Sequence, residues 1–229
     1  MTTYKTFVCF ANSRKLAGRC VAGKEWRNKK PGQWLRPISD RQHEEISAYE
    51  RRYQDGSDPE LLDIIKIPLL DPRPRDHQVE NHLIDSSQSW EKVGRLEWDA
   101  LEKWVDSPKI LWRNNSSSRA GCNDRVILAE AQACSGSLYL LKLDSMSIQV
   151  FAPGASFGDS KRRVQGKFYY NKILYELWIT DPLVEKQYLA ESDGEYEVGE
   201  SYVTVSLGEM NKDGYCYKLV AGLVTPDRA

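Results

Sequence analysis

The feature that most constrains this chain is its punctuation. Short β-rich runs are cut apart by Gly, Pro, Asn and Asp, and few stretches repeat apolar residues at helical spacing. Residues 4–10 (YKTFVCF) read as a first strand, followed by a polar turn at residues 11–15. Residues 18–26 (GRCVAGKEW) read as a second strand, and the basic loop 27–32 ends on the turn pair Pro31-Gly32. Residues 33–38 (QWLRPI) make a third. A short helix is expected within 43–53, where Ile46, Tyr49, Glu50 and Tyr53 recur at helical spacing. Residues 61–70 (LLDIIKIPLL) and 77–84 then supply a fourth and a fifth strand.

The second half follows that order closely. Residues 137–143 and 147–151 read as two strands joined through Asp144-Ser145, and 162–170 with 172–180 as a hairpin turning at Asn171. Asp181-Pro182 starts a short helix, since an N-cap Asp before a Pro at the first helical position is a strong entry signal. Residues 201–207 and 215–224 close the series. The first half thus runs three strands, a helix and two strands, the order of the five-stranded Greek-key barrel called the OB-fold, and the second half follows it with one strand more before its helix. Between the halves, Trp90, Val93, Trp98, Leu101, Trp104 and Val105 fall near one stripe of an amphipathic helix. The expectation is a mainly β chain with short helices: two tandem OB-fold-like five-stranded barrels joined by that helix. The domains fall at 1–88, 89–125 (helix and polar linker) and 126–229.

A chain of 229 residues, 41% hydrophobic and 28% charged, has enough apolar material for two compact cores. No apolar run reaches the roughly 20 residues of a membrane-spanning helix, and the first residues lack the pattern of a signal peptide. The expected location is therefore the cytoplasm. The five cysteines are widely spaced with no C-x-x-C pair, which argues against a disulfide framework or a zinc ribbon.

Net charge is only −1, but it is unevenly spread. Residues 1–36 hold nine Lys or Arg and one acid, whereas residues 37–110 hold ten bases and seventeen acids. Such polarity can gather one phosphate-attracting surface, or it can simply solvate the fold. An OB barrel holds its ligand across strands 2 and 3, flanked by the loops joining strands 1–2 and 4–5. In the first half that face receives Arg14 and Lys15 from the turn, Arg19, Lys24 and Trp26 from the second strand, and Trp34 and Arg36 from the third. Basic groups neutralise phosphates, and an exposed indole offers a stacking platform for a base. The alternative buries Trp34 and turns Arg36 to an acidic partner. In the second half, period-two alternation places Arg163, Gln165, Lys167 and Tyr169 on one face and Val164, Gly166 and Phe168 on the other. The candidate site is therefore Arg14, Lys15, Arg19, Lys24, Trp26, Trp34 and Arg36, with Arg163, Lys167 and Tyr169.

The stretches CFANSRKLAGRCVAGKE, GQWLRPIS, LLDIIKIPL, ENHLID, LWRNNSSSRAGCNDRV and VSLGEMNKDGYCYKLVAG cover most of the chain. On these the sequence resembles the bacterial family described as dual OB domain-containing proteins. The resemblance implies two tandem OB barrels and no established catalytic chemistry; that fold hosts several functions.

Enzyme signatures are weak: there is no G-x-S-x-G elbow, H-E-x-x-H helix, G-x-G-x-x-G loop or P-loop spacing, which leaves an enzyme acting on nucleic acid through the polar loop near Asn123 and Asp124 as a third reading. His77 and His82 would point to opposite faces of a strand, which disfavours a shared metal. The polar loop 114–125 reads as an anion nest or a plain linker. The expectation is a non-catalytic binder of single-stranded DNA or RNA, without cofactor, metal or membrane association. The alternative is an adaptor that binds a protein partner or a nucleotide.

Overall fold

The computed structural model describes all 229 residues. Strands account for 49% of the chain and helices for 13%, so it is mainly β. It divides into two compact units: Met1–Val105 with Ser135–Ser137 and Ala229, and Asp106–Cys134 with Leu138–Arg228. The segment 89–125 is not a separate linker, because its first part belongs to one unit and its second part to the other.

The first unit runs β1 (Thr3–Lys15), β2 (Gly18–Arg27), β3 (Lys30–Ile38), α1 (Ala48–Arg51), β4 (Asp63–Pro72), β5 (Asn81–Ile84) and β6 (Glu91–Arg95). The sheet order is β1-β2-β3-β5-β4, and β1 also pairs with β4, closing the ring. Only β3 and β5 pair in parallel, which is the OB connectivity. The expected five strands become six because β6 adds to β4. Local chemistry explains the joints. Asn28 and Lys29 both take positive φ (51° and 63°), the backbone of a two-residue hairpin turn whose twist matches its strands. Ser47 and Glu50 form a reciprocal capping box at the start of α1.

Two expectations fail in this unit. The turn expected at residues 11–15 is strand: β1 continues to Lys15, carried past a register shift between Cys9 and Ala11, and reverses only at Leu16 and Ala17. Gly23 permits the coiling of β1 over β2, since a Cβ there would lie 1.8 Å from the Val8 carbonyl oxygen. The expected amphipathic helix at 90–105 is instead β6 followed by a 3-10 segment, Trp98–Trp104. Lys92 and Gly94 pair with β4 on either side of a register shift at Val93, and Trp98, Leu101 and Trp104 recur every three residues, the period at which 3-10 side chains eclipse. Phe7, Cys9, Val21, Leu35, Ile65, Ile67 and Trp90 fill the barrel interior. Each large side chain there contributes about 1.5–3 kcal/mol by leaving water.

The second unit runs β7 (Arg125–Ile127), α2 (Leu128–Gln132), β8 (Leu138–Leu143), β9 (Met146–Phe151), β10 (Arg163–Tyr170), β11 (Ile173–Ile179), α3 (Pro182–Leu189), β12 (Gly194–Val198), β13 (Ser201–Met210) and β14 (Tyr215–Val224). The expected pairing of 137–143 with 147–151 is not made. β8 pairs with β13 and β9 with β10, so the two are halves of one bent strand serving both sides of the barrel. The ring β9-β10-β11-β14-β13-β8 repeats the OB order, with β11 and β14 in parallel. With β7 and β12 attached, the sheet has eight strands rather than five. The hairpin at Asn171 is present, with Asn171 and Lys172 at φ 50° and 65°. Asp181 caps α3 by accepting hydrogen bonds from the Leu183 and Val184 amides.

β11 and β14 meet over only two residue pairs, Trp178 with Leu219 and Ile179 with Val220. The rest of this seam is closed by the polar loop. Cys122 and Glu176 exchange backbone hydrogen bonds on the β11 side, and the Lys218 amide donates to the Asp124 carbonyl on the β14 side. Beneath the loop lies Lys218, 1% exposed. Its Nζ donates to the Arg113 carbonyl at 2.5 Å and to Asn114 Oδ1 at 3.2 Å. Burial pushes its pKa down to about 7, against the opposing pull of Asp124, Cys122 and Cys134. This loop is therefore a structural stave.

No helix is long and apolar enough to cross a membrane. All five cysteines are free thiols.

Candidate nucleic-acid interface

The outer face of the first barrel does not present the expected row of cations and indoles. In register, Val8, Lys24 and Trp34 lie side by side across β1, β2 and β3, opposite in parity to the core residues Phe7, Gly23 and Leu35. The 3-10 segment Trp98–Trp104 packs onto that face. Trp26 stacks on Trp104 with centroids 5.5 Å apart and planes 11° apart, and Phe10 fills the space between Trp104 (5.7 Å) and Trp34 (6.2 Å). Lys24 is only 5% exposed. Its Nζ donates to the Trp104 carbonyl at 2.6 Å and lies 5.3 Å from the Trp34 ring centroid. The ammonium expected to meet a phosphate holds the end of this segment instead, satisfying an orphan carbonyl.

Arg36 is also buried, at 2% exposure. It ion-pairs with Glu80 at 3.2 Å and donates to the Ser137 hydroxyl at 2.7 Å, and Ser137 in turn bonds Glu80. β3 brings Arg36 opposite Asn81 of β5, which sets Glu80 beside it. Burial of a guanidinium requires such a partner, so the alternative of an acidic partner for Arg36 is the one the fold adopts. Arg14, Lys15 and Arg19 do gather, at the tip of the β1–β2 hairpin, where Arg14 and Arg19 are direct cross-strand neighbours. Arg14 is exposed and the other two are half-buried, and all three have interactions within the fold. The first-barrel set therefore splits into a basic tip, a closed aromatic face and a buried ion pair.

The second barrel keeps its outer face open. Val164 and Phe168 point into the core, as alternation requires, so Arg163, Gln165, Lys167 and Tyr169 point out. Across the sheet, Glu195, Gln149, Gln165 and Trp178 form one outward row, and Glu197, Ser147, Lys167 and Glu176 form the next. Arg163 lies over the Trp178 ring at 4.5 Å, and Phe151 packs on the same indole at 5.7 Å. The stave reaches this face where Gln165 donates to the Ala120 carbonyl at 2.5 Å. The preceding residue, Arg119, lies 4.0 Å from the ring centroid of Phe157, in the loop joining β9 to β10. Phe157 is 69% exposed. Arg119 and Arg163 are exposed and neither is ion-paired. A stacked guanidinium keeps its donor edge free for phosphate or base oxygens.

The other two expected residues of this face differ in standing. Lys167 is 3.3 Å from Glu195, whose carboxyl is held below its usual range by hydrogen bonds from Ser147, Gln149 and Lys167. Tyr169, at 65% exposure, is open to solvent. The residues that complete this face, Arg119, Phe151, Phe157 and Trp178, were not in the expected set. No group of three or more His, Cys, Asp or Glu side chains is placed to hold a metal ion.

The family model described as the dual OB-containing domain matches residues 5–223, nearly the whole chain. The chain belongs to that family. No curated protein and no solved structure matches it. The family therefore accounts for both barrels, and what the faces bind has to be argued from the side chains.

Proposed function

We propose that this dual OB protein is a non-catalytic binder of single-stranded nucleic acid and that it works through the outer face of its second barrel. One observation carries this reading. Arg119 on Phe157 and Arg163 on Trp178 are two cation–aromatic stacks on the strand face and adjoining loop where OB barrels hold ligand, and no carboxylate neutralises either cation. An unpaired base stacks on such a platform for about 1–3 kcal/mol, while the guanidinium edge meets the adjacent phosphate. A duplex offers no free base faces to such platforms. Binding is therefore strand-selective, tolerant of sequence and weakened by salt.

Fluorescence anisotropy with labelled oligothymidine and oligouridine at low salt tests this. Saturable binding that falls with added salt, and that Arg119→Ala with Arg163→Ala weakens by about tenfold or more, is the expected outcome. No binding of either oligomer, together with co-purification of a partner that survives nuclease treatment, would replace this reading with that of a protein adaptor.

A further inference from the structure

The second-barrel face is not uniformly receptive, and its charge pattern limits the length of strand it takes. This inference rests on the nucleic-acid reading above. The two stacks lie at the end of the face nearest the β9–β10 loop: Arg163 opposes Phe151, the last residue of β9, and Phe157 is within the loop itself. One outward row further along, the chemistry reverses. Glu197, Ser147, Lys167 and Glu176 bring two carboxylates and one ammonium, and that ammonium is engaged by Glu195 from the row before. β12, which adds Glu195 and Glu197 to the side of β9, thus lines that flank with acid. Glu195 stays ionised, since three hydrogen bonds favour its charged form. A phosphodiester leaving the stacks in this direction meets net negative charge within one row, and like charges so close repel.

We propose that the site accepts a short single-stranded segment of about two or three nucleotides, well below the roughly 4 to 16 common for an OB barrel. One base stacks beside each arginine–aromatic pair. The acidic flank of β12 turns the rest of the strand away into solvent. The ligand class is accordingly a short oligonucleotide or a terminus or loop of a longer strand, not a continuous track.

The test is a length series of labelled oligothymidines, from two to twelve residues, titrated at fixed low salt into the full chain and into Glu195→Gln/Glu197→Gln. In the wild type, affinity per register should level off by the trimer, with the dodecamer gaining no more than about tenfold, the share expected from its ten or so overlapping registers. The double variant should bind the dodecamer about tenfold more tightly than the wild type while binding the trimer equally well, because only the longer strand reaches the removed charges. If wild-type affinity instead climbs more than about a hundredfold between trimer and dodecamer, well beyond the gain from registers, the length limit is wrong although nucleic-acid binding stands. If no length binds, the parent reading falls and takes the limit with it.

Discussion

The two barrels share an architectural device and put it to different ends. Each holds a covering segment against itself with a buried lysine that donates to a backbone carbonyl: Lys24 to Trp104 in the first unit, Lys218 to Arg113 in the second. In the first unit the covering segment packs through apolar side chains, Leu101 and Trp104, and it lies on the outer face of β2 and β3, where an OB ligand would sit. In the second unit the segment is polar, and it closes the narrow seam between β11 and β14, leaving the outer face of β10 and β11 open. One barrel has thus made its face part of its own core, and the other leaves its face open. The lesson is that the fold alone does not assign a binding face. What decides is which surface the flanking segments consume.

The largest effect that could break this comparison concerns Trp104. If the first face is core, Trp104→Ala removes a fully buried indole from between Trp26 and Phe10 and should cost about 3–5 kcal/mol of stability. Urea unfolding monitored by circular dichroism reads this directly. A loss below about 1 kcal/mol would mean that the segment is loosely held and that the first face is available after all.

Trp178→Ala is the counterpart in the second barrel and should divide its effect the other way. The ring is half-buried and packs mainly against Phe151 and Arg163, so oligonucleotide affinity should fall by about 1–3 kcal/mol, the share of one stacked base. Its unfolding midpoint should shift less than that of Trp104→Ala. Equal loss of stability in the two variants, with binding unchanged, would erase the distinction between the faces.

Much of this was legible in the chain and some was not, for physical reasons. Barrel order followed from turn chemistry: Asn171, Pro182 and the strand-length runs around them are local signals, and local signals locate hairpins and caps. Trp178 was within reach as well. The alternation in ILYELWI buries Tyr175, Leu177 and Ile179, which turns Trp178 outward, and the hairpin at Asn171 sets it opposite Gln165. Arg119 and Phe157 carry no such signal, because both sit in loops whose mutual approach is a tertiary outcome. Lys24 and Arg36 misled for a related reason. Strand parity placed both on the outer face correctly, but the periodicity of a strand says nothing about what lands on it, here Trp104 and Glu80. The stripe at 90–105 matched a helix and a strand followed by a 3-10 segment about equally well, and only the ladder to β4 separates them.

A smaller effect sharpens the account of the seam. The Lys218 pKa is about 7 in the fold, against 10.5 for an unburied lysine. Between those values the unfolded chain binds one more proton than the native one, so stability rises with pH across that window; below pH 7 the ammonium is charged in both states and its burial is fully unfavourable. The groups facing it are the Asp124 carboxylate, which favours the charged form, and the Cys122 and Cys134 thiols, whose own pKa values burial raises. Urea midpoints of the wild type measured from pH 6 to pH 10 should therefore climb relative to those of Lys218→Met. Parallel curves for the two proteins would show that Lys218 titrates normally and that the seam is wetter than the fold implies.

The smallest effect belongs to the basic tip of the β1–β2 hairpin. Arg14 and Lys15 are two of the nine cations in the first 36 residues, and in a binder centred on the first barrel their joint removal would cost two phosphate contacts. Each released counterion contributes to the salt dependence of affinity, so losing two contacts should lower the slope of log K against log salt by about 1.4 for a single strand. In a binder centred on the second barrel, Arg14→Ala/Lys15→Ala should leave that slope nearly unchanged and weaken binding less than about threefold, since the lost charges act only through the screened long-range field. Arg119→Ala/Arg163→Ala should flatten the slope by the full amount. Titrations at three or more salt concentrations separate the two variants, because the slope counts phosphates at the site whereas affinity at one salt mixes contact with steering. A reversal of the two slopes would move the site back to the first barrel and require the Trp98–Trp104 segment to lift from it.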